Sequence, residues 1–239
     1  MNKKNVQILL VEDNPGDVRL IREQLAEAGA CEFKIEVVHT LADAVERCSR
    51  PGVDAVLLDL GLPDSVGLET LKTLRGGAPE LPMVILSGLS DETIAVQAVQ
   101  AGAQDYLIKG EHGGGLMPRA LRYAIERKQI EEKLRQNEAR LAAAQAVAKI
   151  GSWETDLVTL KTIWSEETYR IFGLVPDRFQ PTHPNFLACV HPEDRAKTEA
   201  AFVESLDKHL PAAIEHRIMT PGGIVKVVEE HWQIIYDSQ

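Results

Sequence analysis

Three carboxylates stand where apolar runs stop. Glu12 and Asp13 follow the run at residues 6–11, and Asp59 closes the run that begins at Ala55. Largely apolar, non-alternating runs of this kind read as strands buried on both faces of a parallel sheet. In such sheets, ligands and chemistry collect just beyond the carboxyl ends of the strands. Acids gathered there repel one another unless a cation sits among them, and hard oxygen donors suit Mg²⁺. Asp59 is the candidate nucleophile, because a carboxylate can accept a phosphoryl group as an aspartyl phosphate. That transfer asks a protein mainly for positioning and charge neutralisation. Ser87 and Lys109 also end apolar runs. The hydroxyl can donate to a phosphoryl oxygen, and the ammonium can pair with phosphoryl charge. Glu12, Asp13 and Asp59 are therefore the expected Mg²⁺ ligands.

The elements that must position these groups alternate along the first half of the chain. Strand one covers 6–11. Pro15 then opens a helix with Val18, Ile21, Leu25 and Ala28 on one face, and Gly29 ends it. Strand two covers 33–38, and Thr40 caps a helix running to about Arg50. Strand three covers 55–59, followed by a loop from Gly61 and a helix to about Gly77. Strand four covers 83–86, Asp91 caps the next helix, and strand five covers 105–108. Glycines 113–115 then break the chain. Strands alternating with helices predict an α/β, flavodoxin-like, doubly wound (βα)5 parallel sheet. Strand two ends in no chemical group and belongs at the sheet edge.

From Leu116 to about Ala148 the sequence predicts one long helix. Ala120, Tyr123, Arg127, Ile130, Leu134, Asn137, Leu141, Ala144 and Ala148 alternate at spacings of three and four. That is the seam of a parallel two-stranded coiled coil with polar defects at Arg127 and Asn137, and it predicts a homodimer. Beyond Gly151 the texture is α+β. A hairpin turns at 158–161, a helical piece covers 166–172, and Pro192 opens a helix at 195–208. A second hairpin, 212–219 with 224–235, turns at Pro221.

Composition narrows the function. The chain has 239 residues, 44% hydrophobic and 26% charged, as soluble two-domain proteins do. Its apolar runs are far too short to span a membrane. Cys31, Cys48 and Cys189 are scattered, which suits reduced thiols in a cytoplasmic protein. The net charge of −10 divides as −8 over 1–112, +4 over 113–149 and −6 over 150–239. Two acidic domains argue against a nucleic-acid partner.

Residues 5–128 resemble the receiver domain of two-component response regulators. The matching stretches run from Ile8 to Asn14, from Val56 to Pro63, from Val84 to Gly88 and from Ala101 to Lys109. The resemblance implies Asp59 as phosphoacceptor and Glu12, Asp13, Asp59 and the Gly61 carbonyl as metal ligands. It further implies Ser87 and Lys109 as phosphoryl-binding groups, Tyr106 as an aromatic switch, and a histidine kinase or phosphotransfer protein as partner. Gly110 departs from the family, which has proline there, so its usual cis bond is not expected. Gly88 stands where alanine is commoner.

Residues 150–239 resemble a PAS domain through Ile150 to Glu154, Trp164, Tyr169 to Leu174, Val190 to Arg195, Glu215 to Ile218 and Pro221 to Gly223. No motif names a ligand. His183, His191, His209, His216 and His231 form no helical metal pair, and Trp153 and Trp164 read as core aromatics. The domains are then a receiver at 1–115 with its last helix continuing to about 128, a helical linker at 116–149, and a PAS domain at 150–239. The resemblance implies one more PAS strand than is present, so the chain reads as the N-terminal part of a longer signalling protein. Expected functions are phosphorelay signalling, or the regulatory part of a hybrid histidine kinase or diguanylate cyclase, or a PAS scaffold whose receiver is not phosphorylated. No output enzyme is written in these residues.

Overall fold

The computed structural model describes residues 4–26, 31–88, 92–110 and 115–235. The expectations for Ala28, Gly29, Asp91 and glycines 113–114 lie outside the described residues. The chain divides into two compact units, 1–135 and 136–239.

In the first unit β1 (Lys4–Val11), β2 (Cys31–Val38), β3 (Ala55–Asp59), β4 (Met83–Ser87) and β5 (Asp105–Ile108) form one sheet. All pairings are parallel, and the order is β2-β1-β3-β4-β5. Strand two is indeed an edge; it starts two residues earlier than the sequence suggests. The helices are α1 (Pro15–Ala26), α2 (Leu41–Cys48), α3 (Leu68–Gly77), α4 (Glu92–Gln100) and α5 (Leu116–Ala148). Thr40 caps α2 as expected, its Oγ1 accepting from the Asp43 amide at 3.1 Å.

Period-two alternation sorts the strand residues onto two cores. Leu9, Val11, Val56, Leu58 and Ile85 face Leu41 and Ala44 of α2 and Leu71 and Leu74 of α3. Ile8, Leu10, Leu57, Val84 and Leu86 face Ile21 and Leu25 of α1 and Met117, Ala120, Leu121 and Ala124 of α5. Covering both faces explains why the central strands β3 and β4 are apolar up to their last residue. The order reverses between β1 and β3, which opens a crevice at their carboxyl ends.

In the second unit β6 (Trp153–Thr155) pairs antiparallel with β7 (Thr162–Trp164), and β8 (Ala212–Met219) with β9 (Val225–Trp232). Between the hairpins lie α6 (Glu166–Phe172), a 3-10 turn at Pro176–Arg178, α7 (His183–Cys189) and α8 (Arg195–Lys208). The sequence suggested only a loop where α7 forms. Thr182 caps it and Pro184 occupies its first turn, where a missing backbone N–H costs nothing. Gly173 ends α6 in the left-handed region at φ 71°, which a glycine takes without Cβ strain. Trp164, Phe172 and Ile218 form the buried centre, with Tyr169, Phe179 and Phe186 packed around it.

Candidate functional site

The site builds from the ends of four strands. After β1, the Glu12 amide donates to the Val38 carbonyl at 3.0 Å, which holds the acidic turn against β2. Glu12 is fully buried, Asp59 is nearly so, and Asp13 is exposed. Their ligand-capable oxygens lie within 4.8 Å of one another. At the other side the Lys109 amide donates to the Ser87 carbonyl at 2.7 Å, so β4 and β5 deliver their terminal groups together. Ser87 is buried.

Lys109 ties the pocket together. Its Nζ stands 2.6 Å from Glu12 Oε2, 2.9 Å from Asp59 Oδ2 and 2.9 Å from Asp17 Oδ2. The Glu12 contact is a close ion pair, and Lys109 is the only group that answers this buried oxygen. Glu12 Oε1 accepts from the Asn14 amide at 3.1 Å. Burial pushes the Glu12 carboxyl above the usual carboxylate range, while Lys109 and the Asn14 amide pull against it. Burial also pulls at Lys109, but its carboxylate partners outweigh that and hold the ammonium well above the ordinary lysine value.

Two further positions lie alongside. A Cβ placed on Gly61 would stand 3.8 Å from Asp59 Oδ2, so this backbone runs directly beside the carboxylate. Tyr106 is half-buried, packs against the core cluster over α2 and α3, and pairs in register with Ile85. The peptide bond at Gly110 is trans, with φ 84°.

The sequence reading missed Asp17, on the first turn of α1, and His39, whose Nδ1 lies 2.9 Å from the Glu12 carbonyl. Asp17 carried no separate signal, because an acid in a first helical turn is already favoured by the helix dipole.

These residues fit a divalent cation. Three carboxylates converge, Glu12 and Asp59 of them buried, and Glu12 keeps an oxygen that only an ammonium answers. Chemically, the pocket can hold a hard cation and present one carboxylate, Asp59, beside a fixed positive charge. Among the described residues it is the one group of three metal-ligating side chains.

The second unit holds a partly open cavity of about 610 Å³. Trp153 and Trp164, expected as core aromatics, both line it, with Phe172, Phe202, Glu230 and Trp232 among the others. Trp164 is buried in the core as well. His183 Nε2 meets Glu199 at 2.6 Å, and His216 is buried with neither ring nitrogen partnered. Cys48 and Cys189 are half-buried free thiols, pushed up in pKa by burial. The Cys31 side chain lies outside the described residues. No described helix is long and apolar enough to cross a membrane.

Comparison with known proteins places these units. Residues 8–120 match the family model of the response regulator receiver domain, and residues 161–239 match that of the PAS fold. The transcriptional regulatory protein KdpE of Mycobacterium tuberculosis is 33% identical over 156 residues, which are 65% of this chain and 63% of that protein. The KDP operon transcriptional regulatory protein KdpE of Escherichia coli is 37% identical over 121 residues, 50% of this chain and 51% of that protein. This chain thus spans between half and two thirds of each of these two relatives. Among solved structures, a CheY-like receiver domain from Methanospirillum hungatei aligns with 20% identity and a TM-score of 0.46, covering 54% of this chain and 99% of the other. The receiver domain of a Pseudomonas aeruginosa sensor histidine kinase, solved with a magnesium ion coordinated in its active-site cleft, aligns with 28% identity and a TM-score of 0.44. That alignment covers 51% of this chain and 98% of the other.

Proposed function

We propose that this chain, which joins a response regulator receiver domain at residues 8–120 to a PAS fold at residues 161–239, is a phosphorylation-dependent input module of two-component signalling. The observation that carries the reading is the Asp59 carboxylate, buried at a strand end, 2.9 Å from the Lys109 ammonium and beside Glu12 and Asp13.

In this reading the donor is a phosphohistidine on a sensor kinase or phosphotransfer protein. An Asp59 oxygen attacks phosphorus, the P–N bond breaks, and the departing imidazole takes up a proton. Lys109 pairs with the transferred charge, and Ser87 donates a hydrogen bond to a phosphoryl oxygen. Glu12, Asp13, Asp59 and the Gly61 carbonyl would hold Mg²⁺, which would neutralise phosphoryl charge. Charge-assisted contacts of this kind are the strong ones. Recruiting Ser87 toward the phosphoryl group leaves space that Tyr106 fills by turning inward. Such a switch biases a two-state element rather than creating a new one. The element is α5, whose first turns pack on the same sheet through Met117, Ala120 and Leu121. Farther along, Tyr123, Ile130, Leu134 and Leu141 are exposed, and we assign them to a homodimeric coiled coil. The acidic charge over residues 1–112 and 150–239 argues against a nucleic-acid or anionic-membrane partner for these two parts.

The test is labelling by a radioactive small phosphodonor, acetyl phosphate, with Mg²⁺. The native chain should label and Asp59→Asn should not. Undiminished labelling of the variant removes Asp59 as phosphoacceptor.

A further inference from the structure

Three carboxylates surround the ammonium of Lys109: Asp59 and Asp17 accept hydrogen bonds from it, and Glu12 stands beside it as an ion pair. Glu12 and Asp59 also belong to the set that can hold a cation, whereas Asp17 does not. The two demands conflict. A divalent cation held by Glu12 and Asp59 would compete with Lys109 for the charge of these two carboxylates and would repel the ammonium. A phosphoryl group on Asp59 needs the ammonium to stay. Asp17 is the partner the cation leaves untouched.

The β1–α1 turn is built to hold Asp17 there. Glu12 Oε1 accepts from the Asn14 amide at 3.1 Å, Asn14 Oδ1 accepts from the Gly16 amide at 2.9 Å, and the Val18 amide donates to the Asn14 carbonyl at 3.1 Å. The buried acid, the turn and the first helical turn are thus linked bond by bond. A Cβ on Gly16 would stand 3.2 Å from Asn14 Oδ1 and press on this turn. The Asp17 contact reaches Lys109 across 92 positions of sequence. The two side chains are 31% and 18% exposed, so this is not one of the solvated surface pairs that contribute little.

We propose that Asp17 is a positioning residue for Lys109. It keeps the ammonium at the pocket when a divalent cation claims Glu12 and Asp59, and so governs how tightly a phosphoryl group is captured. The inference rests on Asp59 being the phosphoacceptor.

The experiment is calorimetric titration of the full chain, first with Mg²⁺ alone and then with beryllofluoride, a phosphoryl mimic, at saturating Mg²⁺. Asp17→Asn should weaken beryllofluoride binding about tenfold, equivalent to about 1.4 kcal/mol, and keep close to the native Mg²⁺ affinity. Asp17→Glu, which retains the charge, should recover part of the loss. A purely structural role would lower the melting temperature and move both affinities together. Equal losses for both ligands, or no loss in either, overturn the proposal. A native chain that takes up no beryllofluoride with Mg²⁺ overturns the phosphoacceptor reading itself, and this inference with it.

Discussion

At the residue scale, the pocket is a balance of one ammonium against several carboxylates. Lys109 offsets Glu12 and Asp59, both buried, and Asp17 at the rim. Removing one member of a buried ion set leaves uncompensated charge and destabilises strongly. Lys109→Met should therefore cost about 3 kcal/mol of stability without a divalent cation, with millimolar Mg²⁺ restoring part of it. Denaturant unfolding followed by far-UV circular dichroism, with and without Mg²⁺, measures both effects. No loss in the absence of metal would mean that the carboxylates do not depend on Lys109. Much of this pocket is legible in the sequence, because Glu12, Asp13, Asp59, Ser87 and Lys109 each terminate an apolar run. Asp17 is not, since an acid in a first helical turn already has a sufficient reason in the helix dipole.

At the element scale, strand parity decides what a charged residue does. In β9 the residues Lys226, Val228, Glu230 and Trp232 are half-buried, while Val225, Val227, Glu229 and His231 are exposed. Glu229 and Glu230 look alike in sequence, yet Glu230 lines the cavity. Burial raises its carboxyl from the ordinary 4.5 to about 7, with the Trp153 side chain pulling modestly the other way. The folded chain thus holds this proton more tightly than the unfolded chain does. The contribution to stability is full below pH 4.5 and is lost as pH rises through about 7. All three tryptophans lie in the second unit, so tryptophan fluorescence reports its unfolding selectively. Between pH 5 and pH 8 the native unit should lose about 1–2 kcal/mol relative to Glu230→Gln, allowing for screening on its open side. Parallel pH profiles for the two proteins would refute the assignment. The strands themselves were readable from period and composition. Helix α7 was not, because a proline beside a loop-like run looks the same whether it starts a helix or breaks one, and only the Thr182 cap distinguishes them.

Asp64 makes a related point about loops. It stands after the candidate phosphoacceptor, and its carboxylate accepts from the Leu41 amide at 2.9 Å and the Ala42 amide at 3.0 Å, at the start of α2. Those two backbone bonds hold its carboxyl below the usual range. Asp64→Ala should speed hydrogen exchange at the Leu41 and Ala42 amides and leave the interior of α3 protected. Unchanged exchange at both amides would show that Thr40 alone caps the helix. The sequence showed the Thr40 cap but not this second one, because the donor and acceptor lie 23 positions apart.

At the scale of the whole molecule, α5 poses the question of partnership. Its early residues Met117, Ala120, Leu121, Ala124 and Ile125 are buried in the core of the first unit. Beyond them Ile130, Leu134 and Leu141 are 66%, 58% and 60% exposed, at the spacing of a heptad seam. A helix that keeps an apolar stripe past its own core has a reason to bury it against another helix. A second copy of the same helix would match that stripe residue for residue, and Asn137 within such a seam would fix register at some cost in stability. The native chain should therefore have a dimer mass by light scattering at high concentration, and Leu134→Glu combined with Leu141→Glu should give a monomer. Because both positions lie well beyond the pocket in sequence, the double variant should still label at Asp59 with acetyl phosphate. A monomeric native chain would remove the seam. A double variant that is monomeric and also fails to label would instead mean that the acceptor site depends on assembly. Retained labelling with lost dimerisation separates capture of the signal, which belongs to the receiver alone, from its delivery along the helix.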